Sequence, residues 1–133
     1  MTATKIVNQF IDHLNAMRLD DAWALLAPEV VYHNMPMQPV IGPAAVQAVF
    51  DQIPCEAIDW IVHAIAECRA PTKGGPDCAC QVLTERTDRF RLKGGRWVEL
   101  RVMGNFEVLD GRITAWRDYF DLGQWMAQMA PPA

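Results

Sequence analysis

Between residues 5 and 17 the apolar positions Ile6, Val7, Phe10, Ile11, Leu14 and Met17 recur every three or four residues, with Asn8, Gln9, Asp12, His13 and Asn15 filling the gaps. That period predicts an amphipathic helix, with Thr2 or Thr4 available as its N-cap. A second, short helix is predicted through residues 22–26, capped by Asp20 and stopped by Pro28, whose ring cannot continue it. Residues 29–36 read as a strand that puts Tyr32 and Asn34 on one face and runs into a proline-broken loop over 37–42. Pro43 suits the first turn of a third helix whose buried side is Ala44, Val46, Val49 and Phe50. The β-rich run 58–66 predicts a strand, and the Pro- and Gly-bearing segment 71–77 a loop.

From there strict alternation takes over. Residues 81–91 form one predicted strand and Lys93-Gly94-Gly95 a turn. In the next strand, 97–109, Val98, Leu100, Val102, Phe106 and Val108 alternate with Glu99, Arg101, Asn105 and Glu107. Asp110-Gly111 is a hairpin signal into a last strand, 112–121, and residues 122–129 follow as one or two helical turns. Helices first and a meander last predict an α+β fold. A curved mixed or antiparallel sheet wraps around the N-terminal helices as a cone and encloses one apolar cavity.

The same alternation puts charge on an inward row. One face of the strand 81–91 carries Val82, Thr84, Arg86, Asp88 and Phe90, and one face of the last strand carries Thr114, Trp116, Asp118 and Phe120. A buried charge is costly unless it is paired, so most chains avoid it there. If both faces line one cavity, Asp88, Arg86 and Asp118 become a carboxylate–guanidinium–carboxylate triad in apolar surroundings. By parity Phe90, Leu100, Val102 and Phe120 supply the apolar wall, and Trp116 packs at the narrow end. Glu99, Arg101, Met103, Ile113, Ala115 and Tyr119 face outward, a mixed surface suited to a two-fold interface, so a homodimer is expected.

Composition narrows the picture. The 133 residues, 51% hydrophobic and 21% charged, are expected to fold as one domain over 1–133. The net charge of −4 and the absence of any Lys/Arg cluster speak against nucleic acid. No apolar run has membrane-span length, and the N-terminus leads into an amphipathic helix rather than a signal core, so the cytoplasm is the expected location. Cys55, Cys68, Cys78 and Cys80 lack the paired spacing of a zinc site and read as small buried thiols, although Cys78 and Cys80 together are a conceivable soft-metal pair. Neither metal nor organic cofactor is expected. His13 and His63 have no evident partners and read as solvated or structural. His33 lies between Tyr32 and Asn34 and so points away from both, to the surface.

The layout resembles the nuclear-transport-factor-2-like (NTF2-like) superfamily, and within it the limonene-1,2-epoxide hydrolase family. Three blocks carry the resemblance: Tyr32-His33-Asn34-Met35-Pro36, Leu83-Thr84-Glu85-Arg86-Thr87-Asp88, and Gly111-Arg112-Ile113-Thr114-Ala115-Trp116-Arg117-Asp118-Tyr119-Phe120-Asp121. The family's polar set falls on Tyr32, Asn34, Arg86, Asp88 and Asp118. His33 within the Tyr-x-Asn unit, Asn105 at a position expected to be apolar, and the length of the 69–77 loop depart from the pattern. The resemblance implies one-step epoxide hydrolysis without a covalent enzyme intermediate. In it, ionised Asp118 takes a proton from a water that Tyr32 and Asn34 hold, protonated Asp88 donates to the epoxide oxygen, and Arg86 orients both carboxylates. The assignment of the proton to Asp88 comes from the resemblance alone. The apolar wall points to a lipophilic epoxide, cyclic or terpene-like, with room for a longer-chain or sterol-like one. Two other functions suit the same superfamily. One is a ketosteroid-isomerase-like or polyketide-cyclase-like proton shuttle, which leaves Arg86 without a role. The other is a non-catalytic small-molecule-binding or dimerisation module.

Overall fold

The computed structural model describes residues 2–69 and 80–130. Helix α1 (Ala3–Asn15) starts under Thr2, whose side-chain oxygen accepts the Lys5 N–H at 3.2 Å. It ends before Met17, which takes a left-handed conformation (φ 58°) while Arg18 N–H reaches back to the His13 carbonyl at 2.9 Å. This closure at the C-terminus swings Met17 out of the apolar stripe into solvent, correcting its assignment to the buried face. Helix α2 (Leu19–Ala24) begins before Asp20, with Arg18 rather than Asp20 in the capping position.

Pro28 does not stop that helix. Strand β1 (Leu26–Asn34) already contains it, at an irregularity where the pairing register shifts between Leu26 and Val31. Proline is tolerated in a sheet at such a point because no ladder N–H is required of it. The loop expected over 37–42 holds a short strand β2 (Val40–Ile41), antiparallel to β1. Helix α3 (Pro43–Asp51) follows with Pro43 in its first turn. It buries Val46 and Phe50 and half-buries Val49, but leaves Ala44 exposed.

Strands β3 (Cys55–Arg69), β4 (Cys80–Leu92), β5 (Trp97–Leu109) and β6 (Arg112–Tyr119) form an antiparallel meander, and α4 (Leu122–Met129) follows. The expected 71–77 loop and Cys78 lie outside the described residues. The six-stranded sheet has the order β2-β1-β6-β5-β4-β3 and is mixed, because β1 lies parallel to β6. A bulge between Glu107 and Val108 shifts the β5–β6 register. It reverses the expected parity at the start of β6: Ile113 is fully buried, whereas half-buried Thr114 donates its hydroxyl to the Glu107 carbonyl. From Trp116 onward the alternation holds.

Helix α1 lays Ile6, Val7, Phe10, Ile11 and Leu14 on the sheet. Phe10 meets Trp116 edge-on at 5.1 Å, and fully buried Trp116 stacks on Tyr32 at 4.0 Å and on Phe106 at 5.6 Å. This aromatic cluster fixes Tyr32 against the sheet. Among the described residues no helix is long and apolar enough to cross a membrane.

Candidate active site

Strand register decides which inward side chains meet. Thr84 on β4 lies opposite Gly104 on β5, Gly104 opposite Asp118 on β6, and Asp118 beside Asn34 on β1. One step along the same face, Arg86 lies opposite Val102. One further, Asp88 lies between Leu100 on β5 and Trp60 on β3. The parallel β1–β6 pairing is what carries Tyr32 and Asn34 to the meander's polar row, across more than fifty residues of sequence. All of Tyr32, Asn34, Asp88 and Asp118 line one cavity, and Arg86 lies directly behind the two carboxylates.

Arg86 has no exposed surface, and Asp88 and Asp118 are each 3% exposed. Its guanidinium grips Asp88 with two parallel bonds, Nε to Oδ1 at 2.9 Å and Nη2 to Oδ2 at 2.8 Å. Nη2 also donates to Asp118 Oδ2 at 2.9 Å, and Nη1 to the Thr84 hydroxyl at 3.0 Å. The cation sits over the Trp60 ring at 4.7 Å and the Phe106 ring at 5.7 Å, so its faces are covered as well as its edge. Asp118 Oδ1 is buried with no hydrogen-bond partner, so one of this carboxylate's oxygens is uncommitted.

The two carboxylates are thus wired differently. Burial pushes the Asp88 carboxyl up to about 6, outweighing the pull of Arg86 on the ionised form, and the charge of Asp118 adds to the rise. For Arg86, burial opposes the charge, but Asp118 and Asp88 together prevail and hold it above its ordinary value, so it stays cationic. Burial, and then Asp118, raise the Tyr32 phenol, with Asn34 partly offsetting them, so Tyr32 stays a neutral donor.

The cavity has a volume of about 370 Å³. Phe90, Leu100, Val102 and Phe120 all line it as expected, although Phe120 lies beyond the end of β6. Strand parity misses the rest of the wall. Val49 and Ile53 from the α3 end, Trp60 from β3, and Trp125 and Met129 from α4 are part of it. The signal for α4 is the four-residue spacing of Trp125 and Met129, which places them on one helical face. Helix α4 is held where β6 has ended and left β5 unpaired. There the Gln128 amide takes the place of a neighbouring strand, accepting Glu99 N–H at 2.8 Å and donating to the Glu99 carbonyl at 2.6 Å. Trp125 then packs edge-on against Phe90 at 5.6 Å.

The remaining polar residues stay out of the site. His33 reaches the Met37 carbonyl at 2.9 Å. Asn105 lies half-buried on the outer face of β5 and donates to Gln81 at 2.9 Å. His13 accepts from Arg18, and His63 pairs with Thr87 at 2.7 Å, so both are structural.

A curved, unclosed six-stranded sheet packed on N-terminal helices, with a buried polar set at the wall of its cavity, is the architecture of an NTF2-like α+β protein. The chain belongs to the limonene-1,2-epoxide hydrolase family, whose catalytic-domain model matches residues 1–130. It is 34% identical over 117 residues to epoxide hydrolase EphG of Mycobacterium tuberculosis, covering 87% of this chain and 71% of that one. A solved structure of an epoxide hydrolase of this type from M. tuberculosis superposes with a TM-score of 0.72 at 29% identity, over 92% of this chain and 85% of that one. An NTF2-like protein of unknown function from Burkholderia pseudomallei reaches a TM-score of 0.75 at 17% identity, over 96% and 97% of the two chains, and shares the fold. At the level of the family, this chain is an epoxide hydrolase.

Proposed function

We propose that the protein adds water in one step to a lipophilic epoxide, cyclic or terpene-like, and releases a vicinal diol without a cofactor. The observation that carries this reading is two carboxylates of unequal environment held by one buried arginine at a single cavity: burial lifts the Asp88 carboxyl to about 6 despite its two bonds to Arg86, and Asp118 accepts only one bond from it. The first suits a general acid and the second a general base. Asp118 takes a proton from a water that Tyr32 and Asn34 hold on the same wall, and the water oxygen attacks an epoxide carbon. As that carbon's bond to the ring oxygen breaks, Asp88 gives its proton to the departing oxygen. The catalyst is left with Asp118 protonated and Asp88 ionised, and a proton passing back to Asp88 resets it. Arg86 remains charged throughout and spreads the shifting negative charge over both partners. Each acid–base group contributes on the order of 10²–10⁴-fold, and fixing the water adds to this through orientation. Phe90, Leu100, Val102 and Phe120 keep bulk water from the reacting carbon and select for apolar substrates.

The test is diol formation from limonene oxide, cyclohexene oxide and a bulkier lipid epoxide, in ¹⁸O-labelled water under single-turnover conditions. Wild type is expected to give labelled diol in the first turnover, and Asp118→Asn none. Absence of diol from folded wild type on every substrate would sink the proposal, and turnover of a ketosteroid instead would establish the proton-shuttle alternative.

We also infer that two copies pair through the outer face of the sheet. Leu83, Met103 and Tyr119 are exposed there by 39%, 53% and 48%, next to Glu85 and Arg101. Light scattering is expected to give twice the chain mass, and a monomer mass would overturn the pairing.

A further inference from the structure

Arg86 rises from β4 but must reach Asp118 on β6, two strands away. Adjacent strands lie about 4.8 Å apart, so the guanidinium has to cross the inner surface of β5. The residue under that crossing is Gly104. A Cβ built on it would collide with Arg86 Nη1 and would lie 2.5 Å from Asp118 Oδ1 and 3.1 Å from Thr84 Oγ1. The space left by one missing side chain is therefore what the triad occupies. Thr84 lies at the edge of that space, 1% exposed. Its hydroxyl donates to the Gly104 carbonyl at 3.2 Å and accepts from Arg86 Nη1 at 3.0 Å. An arginine only donates and a hydroxyl has a single proton, so the Gly104 carbonyl sets the direction of both bonds.

We propose that Thr84 and Gly104 are positioning residues that seat Arg86 over β5, Gly104 by leaving room for Nη1 and Thr84 by accepting one of its protons. Nη1 and Asp118 Oδ1 are neighbours above the same glycine. Nη1 carries two protons, and the one given to Thr84 fixes the tilt of the planar guanidinium on which both carboxylates are aligned. Without that anchor the guanidinium is free to tilt, and the Nη2 bonds that hold Asp88 and Asp118 in one relation loosen. Thr84 does not line the cavity, so its effect falls on the chemical step rather than on substrate binding. The inference rests on the epoxide hydrolase reading and names two residues that the family's polar set does not contain.

The test compares Thr84→Val, which keeps the shape and deletes the hydroxyl, with Thr84→Ser, which restores it. Limonene oxide is the substrate, and thermal unfolding verifies that each variant is folded. Thr84→Val is expected to lose about 10- to 100-fold in kcat, the effect of one hydrogen bond to a charged group, with KM within about twofold of wild type. Thr84→Ser is expected to recover most of that loss. A second readout needs no turnover: the ¹⁵N–¹H signals of the Arg86 guanidinium, assigned by their loss in Arg86→Lys. Separate Nη1 and Nη2 signals in wild type and Thr84→Ser, merged or broadened in Thr84→Val, support the seat. Unchanged kcat in Thr84→Val, a loss appearing only in KM, or unchanged guanidinium signals would overturn it. If wild type hydrolyses no epoxide, the enzymatic reading fails, and the NMR comparison alone then decides whether Thr84 seats Arg86. Gly104→Ala is expected to lose more activity than Thr84→Val, since its Cβ displaces both Arg86 and Asp118.

Discussion

If Asp88 is the acid, activity and stability should both fall over the same pH window. Asp88 is 3% exposed, and burial lifts its carboxyl from 3.8 to about 6. The general acid works protonated, so kcat/KM for epoxide hydrolysis should fall about tenfold per pH unit above pH 6, or roughly a hundredfold by pH 8. The stability effect has the same sign. A carboxyl whose pKa is raised on folding binds its proton more tightly in the native state. The stability this adds is complete below the unfolded value and is lost as pH rises through the folded one. A shift of about two units corresponds to roughly 2–3 kcal/mol lost between pH 4 and pH 7. The assays are initial diol formation and urea denaturation at half-unit steps from pH 4 to 8, for wild type and for Asp88→Asn. The variant should be slower on the order of 10²–10⁴-fold, without the alkaline limb, and should lack this part of the stability decline. Wild-type kcat/KM that stayed level or rose between pH 6 and 8 would refute the assignment of Asp88 as acid.

Replacing Arg86 by Met leaves two buried carboxylates without their cation. Urea denaturation at pH 7 should show a loss of about 3–5 kcal/mol. The loss should be smaller at pH 5, where the carboxyls can take up protons, and an equal loss at both would contradict the ion-pair account. Arg86→Lys keeps the charge but not the planar fork, so diol formation should stay low even where the fold is retained. Trp125→Ala opens the cavity wall at α4. Its KM for limonene oxide should rise by about tenfold with little change for cyclohexene oxide, since only the larger substrate reaches that wall. Parallel increases for both substrates would show that Trp125 does not discriminate between them by size.

Much of the site was legible in the chain because a strand's pleat is local. Whatever β4 pairs with, Arg86, Asp88 and Phe90 must share a face, and Leu100 and Val102 must do so on β5. The Asp110-Gly111 signal was equally local, and both residues take positive φ, 53° and 76°, as such a turn demands. These features need only backbone geometry over a few residues, so the sequence by itself determined them, and with them the inward charge at the centre of the protein.

Tertiary structure decided what depends on distant partners. The bulge opposite Glu107 turned Ile113 inward and Thr114 partly out, because an extra residue in one strand shifts parity for everything before it. The unpaired edge beyond β6 gave α4 its place, so Trp125 and Met129 joined a wall that strand alternation could not foresee. The parallel seating of β1 beside β6 brought Asn34 to Asp118. Gly104 shows the division most plainly. In the sequence it is an interruption in an alternating strand. Only when β4, β5 and β6 are aligned does its missing side chain become the space through which an arginine reaches a second carboxylate, because steric room is a property of neighbours in space.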